Sequence, residues 1–127
     1  MKKGKLKNNL RYLIYNNNSK YSVNILLLVK VGSINEVKGK YGLAHFLEHM
    51  LFKGTKKYPK SKLLTDLIYK YGGSTNAFTT YDVTGYYITI NSKYTELAIS
   101  FLSDIFFNSI FIDYVKEKGV VISENKK

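Results

Sequence analysis

The chain has two histidines, and both stand in one pentapeptide, His45-Phe46-Leu47-Glu48-His49. The apolar stretch around it, Gly42 to Phe52, is long enough for about three turns of helix. At ~100° per residue, side chains four apart share a helical face and those three apart lie beside it. His45 and His49 then point the same way, with the Glu48 carboxylate next to them. Two imidazoles and a carboxylate so placed can hold a zinc ion and act on the water it activates. A histidine pair at this spacing also occurs as a merely packed or solvated pair, so the pentapeptide alone leaves both readings open. A third ligand would separate them, because a catalytic zinc takes three protein ligands. With no cysteine and no further histidine in the chain, only Asp or Glu can supply it.

The last segment offers candidates. Asp113 can cap a helix running from Tyr114 to Glu124. Glu117 and Glu124, seven apart, return to nearly the same face after two turns, with Val121 between them. A solvated helix can show the same pattern. Gly119 inside the run costs about 1 kcal/mol relative to Ala, and Gly119-Val120-Val121-Ile122 can be read locally as a strand.

The elements that must position these groups follow from periodicity. Leu10, Tyr12 and Ile14 alternate, Asn16 to Ser19 read as a polar turn, and Tyr21, Val23, Ile25, Leu27 and Val29 alternate again. These two runs predict a hairpin. The histidine helix follows, and Pro59 marks a break. Leu63, Leu64, Leu67, Ile68 and Tyr71 recur at helical spacing after Ser61, and Gly72-Gly73 stops that helix. Asn76-Ala77-Phe78-Thr79 reads as an ordinary strand leading into a richer one, Thr84 to Ile90, within a strand region that the coarse pattern starts at Asp82. Leu97, Ala98, Phe101, Leu102, Ile105 and Phe106 make a last amphipathic stripe, which is core. The layout is α+β, an antiparallel-rich sheet packed on helices. The strand order predicts that this sheet is incomplete.

Several ordered motifs carry a resemblance. Asn9-Leu10-Arg11-Tyr12 and Val29-Lys30-Val31-Gly32-Ser33-Ile34-Asn35-Glu36 precede Gly42-Leu43-Ala44-His45-Phe46-Leu47-Glu48-His49-Met50-Leu51-Phe52-Lys53-Gly54-Thr55. Gly72-Gly73-Ser74-Thr75-Asn76-Ala77-Phe78-Thr79, Asp82-Val83-Thr84, Tyr86-Tyr87 and Glu117-Lys118-Gly119-Val120-Val121-Ile122-Ser123-Glu124 come after it. In this order, and at these separations, they resemble the insulinase/pitrilysin family of zinc peptidases, the inverzincins with an H-x-x-E-H helix, which includes the mitochondrial processing peptidases and their bacterial relatives. The match runs from about Asn8 to Glu124.

The resemblance implies that His45, His49 and Glu124 ligate one Zn2+ ion. It makes Glu48 the general base, with Glu117 as an accessory acidic residue of the catalytic site. It also implies that the Asn76 and Ala77 strand is a sheet edge, to which a peptide or unfolded protein substrate adds as an extra strand. The expected activity is zinc-dependent endopeptidase chemistry, without a covalent intermediate. Family members continue into the rest of the domain and a second homologous domain. Residues 1–127 are therefore expected to be a single, truncated amino-terminal catalytic domain that needs a second domain or subunit for activity. The alternatives are a non-catalytic partner subunit or inactive fragment of the same family, and a different hydrolase or lyase using the same pentapeptide. Intact ligands disfavour the former, and the distal Glu motif with the Asn76-Ala77 strand disfavours the latter.

Composition fits this class and excludes others. At 127 residues one core is feasible and a second domain is not expected. The longest apolar run, Ile25 to Val29, is far too short to span a bilayer. Lys2, Lys3, Lys5 and Lys7 are followed by Asn8 and Asn9, not by the apolar core of a secretory leader, so the expectation is cytoplasmic. The net charge of +11 raises a nucleic-acid partner, but Arg11 is the sole arginine and the lysines are spread along the chain. We expect neither a nucleic-acid nor a membrane partner, and read the lysines as a solvated surface.

Overall fold

The computed structural model describes residues 1–18 and 20–126; Ser19, the end of the expected polar turn, lies outside them. Five strands and four helices follow in the order β1 (Lys2–Lys5), β2 (Arg11–Ile14), β3 (Ser22–Val29), α1 (Leu43–Leu51), α2 (Ser61–Tyr69), β4 (Ser74–Thr79), β5 (Thr84–Asn91), α3 (Thr95–Phe107) and α4 (Tyr114–Glu124). The α+β architecture is as expected, with the strand pairing antiparallel, α1, α2 and α3 packed on one face of the main sheet, and α4 laid against α1.

That sheet has three strands in the order β3-β5-β4. β5 is the central strand, and its inward residues Tyr86, Ile88 and Ile90 are almost fully buried. Val23, Ile25, Leu27 and Val29 of β3 lie on the same face, against Leu64 and Ile68 of α2 and Ala98, Phe101, Leu102 and Ile105 of α3. Each large apolar side chain fully buried there contributes roughly 1.5–3 kcal/mol. The period-two pattern of the strands and the 3.6-period pattern of the helices both point at this one layer.

The expected hairpin between the 10–14 and 21–29 runs does not form. β2 pairs instead with β1, from Lys2↔Ile14 to Lys5↔Arg11, while β3 pairs along its length with β5, from Ser22↔Asn91 to Val29↔Thr84. All four residues of β2 are exposed, so no buried face specifies its partner. A tight local turn does so instead, with the Leu6 N–H bonded to the Leu10 carbonyl at 2.8 Å and Asn9 at φ 70°. β5 also starts at Thr84, two residues later than expected, because Asp82 belongs to a turn in which the Thr80 N–H donates to the Val83 carbonyl at 2.8 Å.

The loop between β3 and α1 is pinned to that same turn. Ser33 and Ile34 donate to the carbonyls of Thr80 and Tyr81 at 3.1 and 2.9 Å. A side chain at Gly32 would collide with the backbone of Thr80 to Asp82, so only glycine permits the approach. The loop then caps α1. Its N-cap, Gly42, sits at φ 86° and has no side chain to offer. Glu36 reaches across instead and accepts the N–H groups of Gly42 and Ala44, each at 2.8 Å. An anion on the first turn satisfies otherwise orphaned donors and complements the helix dipole.

At the other end of α1 a second clamp forms. Thr55, completely buried, bridges to Ser109, and the Lys56 and Ile110 N–H groups donate to the carbonyls of Asn108 and Gly54 at 3.1 Å each. The segment leading into α4 is thereby tied to the segment leaving α1. Among the described residues no helix is long and apolar enough to cross a membrane. Replacing Glu36 with alanine removes the side-chain cap of α1 seen among the described residues, and we expect unfolding in denaturant to show a loss of roughly 1–2 kcal/mol; an unchanged midpoint would mean that water caps the helix equally well.

Candidate metal centre

Helix α1 presents His45 and His49 on one face, and α4 crosses over that face with Glu117 in its first turn and Glu124 at its end. The two Nε2 atoms are 3.0 Å apart. A carboxylate oxygen of Glu124 lies 3.6 Å from Nε2 of His45 and 3.5 Å from Nε2 of His49. Ligand atoms at about 2.1 Å from a tetrahedral zinc stand ~3.4 Å apart, so these separations fit one ion. Among the described residues this trio is the one cluster of potential ligands, its donor atoms all within 4.8 Å of one another.

The proton positions follow from the partners. Nδ1 of His49 is 2.7 Å from Oε1 of Glu117, and an ionised carboxylate only accepts, so Nδ1 carries the proton. The lone pair of neutral His49 is then on Nε2, aimed at the cluster. For His45 the partner is the Asn125 amide oxygen, at a longer 3.4 Å from Nδ1. With Nδ1 protonated on both rings, two imidazole lone pairs and a carboxylate converge with no donor among them. Such a set is repulsive by itself and is the donor chemistry of a divalent cation site. The Glu124 side chain is 46 % exposed, which leaves that side of the cluster open to solvent.

Glu117 is only 5 % exposed. Its second oxygen pairs with the Nζ of Lys53. Burial pushes the Glu117 carboxyl up, but the hydrogen bonds and charges of Lys53 and His49 outweigh it and hold the group below the ordinary value of 4.5. Glu48, on the flank of the same helix, is also buried, and the Thr79 hydroxyl donates to its Oε2 at 2.5 Å. Burial raises the Tyr86 phenol far above its normal range, with the Glu48 charge adding to the effect.

Asn76 and Ala77 lie mid-way along β4, which pairs with β5 alone and so leaves its other edge unpaired among the described residues. The Ala77 N–H donates to the Asn76 side-chain oxygen at 2.9 Å. Thr79, two residues further along the same strand, is the link to Glu48. The structure thus brings His45, His49 and Glu124 together, sets Glu117 behind His49, and puts Asn76 and Ala77 on the strand that touches Glu48. Asp113 does not cap α4 as expected: it adopts φ 58° and its carboxylate makes no capping bond, although its carbonyl accepts the Glu117 N–H at 3.0 Å. Residues 119–122 are helical.

Sequence reasoning missed Lys53, Thr79, Asn125 and Glu36. Lys53 follows His49 by four residues, the spacing of one helical face, and Thr79 alternates in step with Ala77. Those were the available signals. Asn125 and Glu36 act through contacts that no local pattern announces.

Residues 11–127 match the family model for Insulinase (Peptidase family M16). The chain belongs to the insulinase family. It is 42% identical over 122 residues to an uncharacterized zinc protease of Rickettsia bellii, covering 94% of this chain and 29% of that protein. It is 34% identical over 124 residues to human insulin-degrading enzyme, covering 96% of this chain and 12% of the enzyme. Among solved structures, the crystal structure of a protease from Helicobacter pylori superimposes with a TM-score of 0.88 at 30% identity, over 98% of this chain and 30% of that one. This insulinase-family chain thus spans less than a third of the length of these relatives.

Removing the Glu117 charge by Glu117→Gln strands the partly buried Lys53, so we expect a loss of roughly 2–4 kcal/mol near neutral pH, somewhat below the full cost of an orphaned buried charge. Because the folded value of Glu117 is depressed, its contribution is present above pH 4.5 and disappears as pH falls through the lowered value. The gap in unfolding free energy between parent and variant should therefore narrow on the acid side. A gap independent of pH down to acid unfolding would refute the ion-pair account.

Proposed function

We propose that this chain carries the metal site and general base of a zinc endopeptidase, as the amino-terminal part of a catalytic domain, with one Zn2+ held by His45, His49 and Glu124. The observation that supports this best is the approach of two imidazole Nε2 atoms and a carboxylate oxygen to one another, all within 4.8 Å. Zinc bound there supplies Lewis acidity, polarising a peptide carbonyl and making water a stronger acid.

The remaining work falls to the chain's own groups. Glu48 takes the proton of the attacking water at Oε1, because Oε2 is already held by the Thr79 hydroxyl. The same carboxyl then returns that proton to the leaving amine. Glu117 keeps His49 in its Nδ1–H form and in place, the usual task of a carboxylate behind a metal-ligating histidine. A peptide segment adds to the free edge of β4, with Asn76 and Ala77 beside the scissile bond. Backbone pairing of this kind accepts varied sequences, which suits peptides and unfolded proteins as substrates.

The coverage of the relatives favours a second reading for this piece by itself: it binds metal, yet turnover needs a further homologous domain or subunit. Elemental analysis after dialysis tests the site directly. We expect about one zinc per chain in the parent and none in His49→Ala; a folded parent without zinc would refute the reading. In a polypeptide extended to the length of the relatives, Glu48→Gln should keep its zinc and lose peptide hydrolysis by at least ~100-fold. Retained turnover would remove Glu48 from its role.

A further inference from the structure

Among the described residues, two lysine–carboxylate ion pairs are present, and they differ in kind. Lys62 and Asp66 sit on the surface of α2, with 82% and 52% of their side chains exposed. The Lys53 side chain is 24% exposed and runs inward to the Glu117 side chain, 7% exposed, which already holds His49 through its other oxygen. Surface pairs contribute little to stability, whereas a buried carboxylate persists only if its charge is compensated. His49 adds charge beside Glu117 only when protonated; in the neutral form that a metal requires it supplies one hydrogen bond and no charge. The compensating cation is Lys53.

We propose that Lys53 is a positioning residue of the metal site, acting through Glu117 to fix the tautomer and orientation of His49. The inference rests on the zinc reading for its consequence, but its structural part stands on the apo protein. Lys53 lies two residues beyond the last residue of α1, where a cation also complements the helix C-terminus. Its Nζ takes Oε2 of Glu117, and Nδ1–H of His49 takes Oε1. Each oxygen of the buried carboxylate is thus used once. Without Lys53, Oε2 has no partner in a buried setting, and the carboxylate gains by turning outward to water. His49 then loses the acceptor that keeps its proton on Nδ1. A proton relocated to Nε2 would stand at the point where the lone pair is needed, 3.0 Å from Nε2 of His45.

The 127-residue chain suffices for the test. Parent, Lys53→Met, Lys53→Arg, Glu117→Gln and the Lys53→Met/Glu117→Gln double variant are compared, with folding checked by circular dichroism. Nitrogen chemical shifts of the His49 ring in the metal-free protein at mildly alkaline pH report the tautomer. Zinc affinity is read by chelator competition. We expect Lys53→Met to shift His49 toward the Nε2–H form and to weaken zinc roughly 10–100-fold, as removal of outer groups behind a ligand does. Lys53→Arg should retain the parental tautomer and affinity. Adding Lys53→Met to Glu117→Gln should change neither measurement further.

A folded Lys53→Met with parental tautomer and affinity overturns the proposal. So does a further loss in the double variant, because Lys53 would then act by a route other than Glu117. If Lys53→Met does not fold, the double variant against Glu117→Gln decides by the same criterion. A parent that binds no zinc but whose His49 tautomer depends on Lys53 would overturn the zinc reading and leave the positioning role in place.

Discussion

Everything at the metal centre depends on holding α4 against α1, and the forces available for that are few. α4 buries only two residues, Glu117 and Val121. The edge-to-face contact of Phe46 with Tyr114, centroids 5.6 Å apart, adds one aromatic pair worth about 1 kcal/mol beyond its area. By apolar burial alone this helix is weakly docked. Its anchor is the buried carboxylate of Glu117, which bonds one side chain within α1 and another just past its end. The contact that attaches the helix is therefore also the contact that orients His49.

That coupling explains the placement of the covalently remote pieces. The Thr55–Ser109 bridge and its flanking hydrogen bonds hold the exit of α1 beside the entry to α4. Once those two points are joined, Glu117 in the first turn of α4 meets the carboxyl-terminal end of α1. Two turns further on, Glu124 reaches the cluster formed by His45 and His49. At the opposite end of α1, Glu36 fixes the helix through two charge-assisted bonds. A nine-residue helix would be marginal in isolation, so its rigidity comes from these end contacts and from the burial of Ala44, Met50 and Leu51.

Legibility in the sequence followed the range of the interaction. The amphipathic α1, α2 and α3 and the alternating β3 and β5 were readable because each carries its own periodic apolar face. Strand partners were less so: alternation at Leu10, Tyr12 and Ile14 announces a strand but not a neighbour, and with no buried face the nearer turn decided. His45 and His49 were legible as a pair, being one helical turn apart. That Glu117 and Glu124 are the acidic groups they meet came from likeness to a family, since a separation of 68 residues between His49 and Glu117 leaves no local trace. Asp113 misled for a related reason. A helix-capping residue type stands at the right place, but the backbone there turns left-handed and the cap is never made.

The link between Thr79 and Glu48 has a further implication for how the proposed reaction is organised. Glu48 comes from the helix and its hydrogen-bond donor comes from the strand proposed to receive the substrate. A peptide that pairs with β4 therefore docks on the element that also restrains the base. In this arrangement the distance between scissile carbonyl and general base is set by sheet geometry, along which residues advance by about 3.3 Å, and not by the fit of any particular side chain. Loose sequence preference and strict placement of the reacting groups are then compatible, because they are controlled by different parts of the same strand: side chains for the one, backbone register for the other.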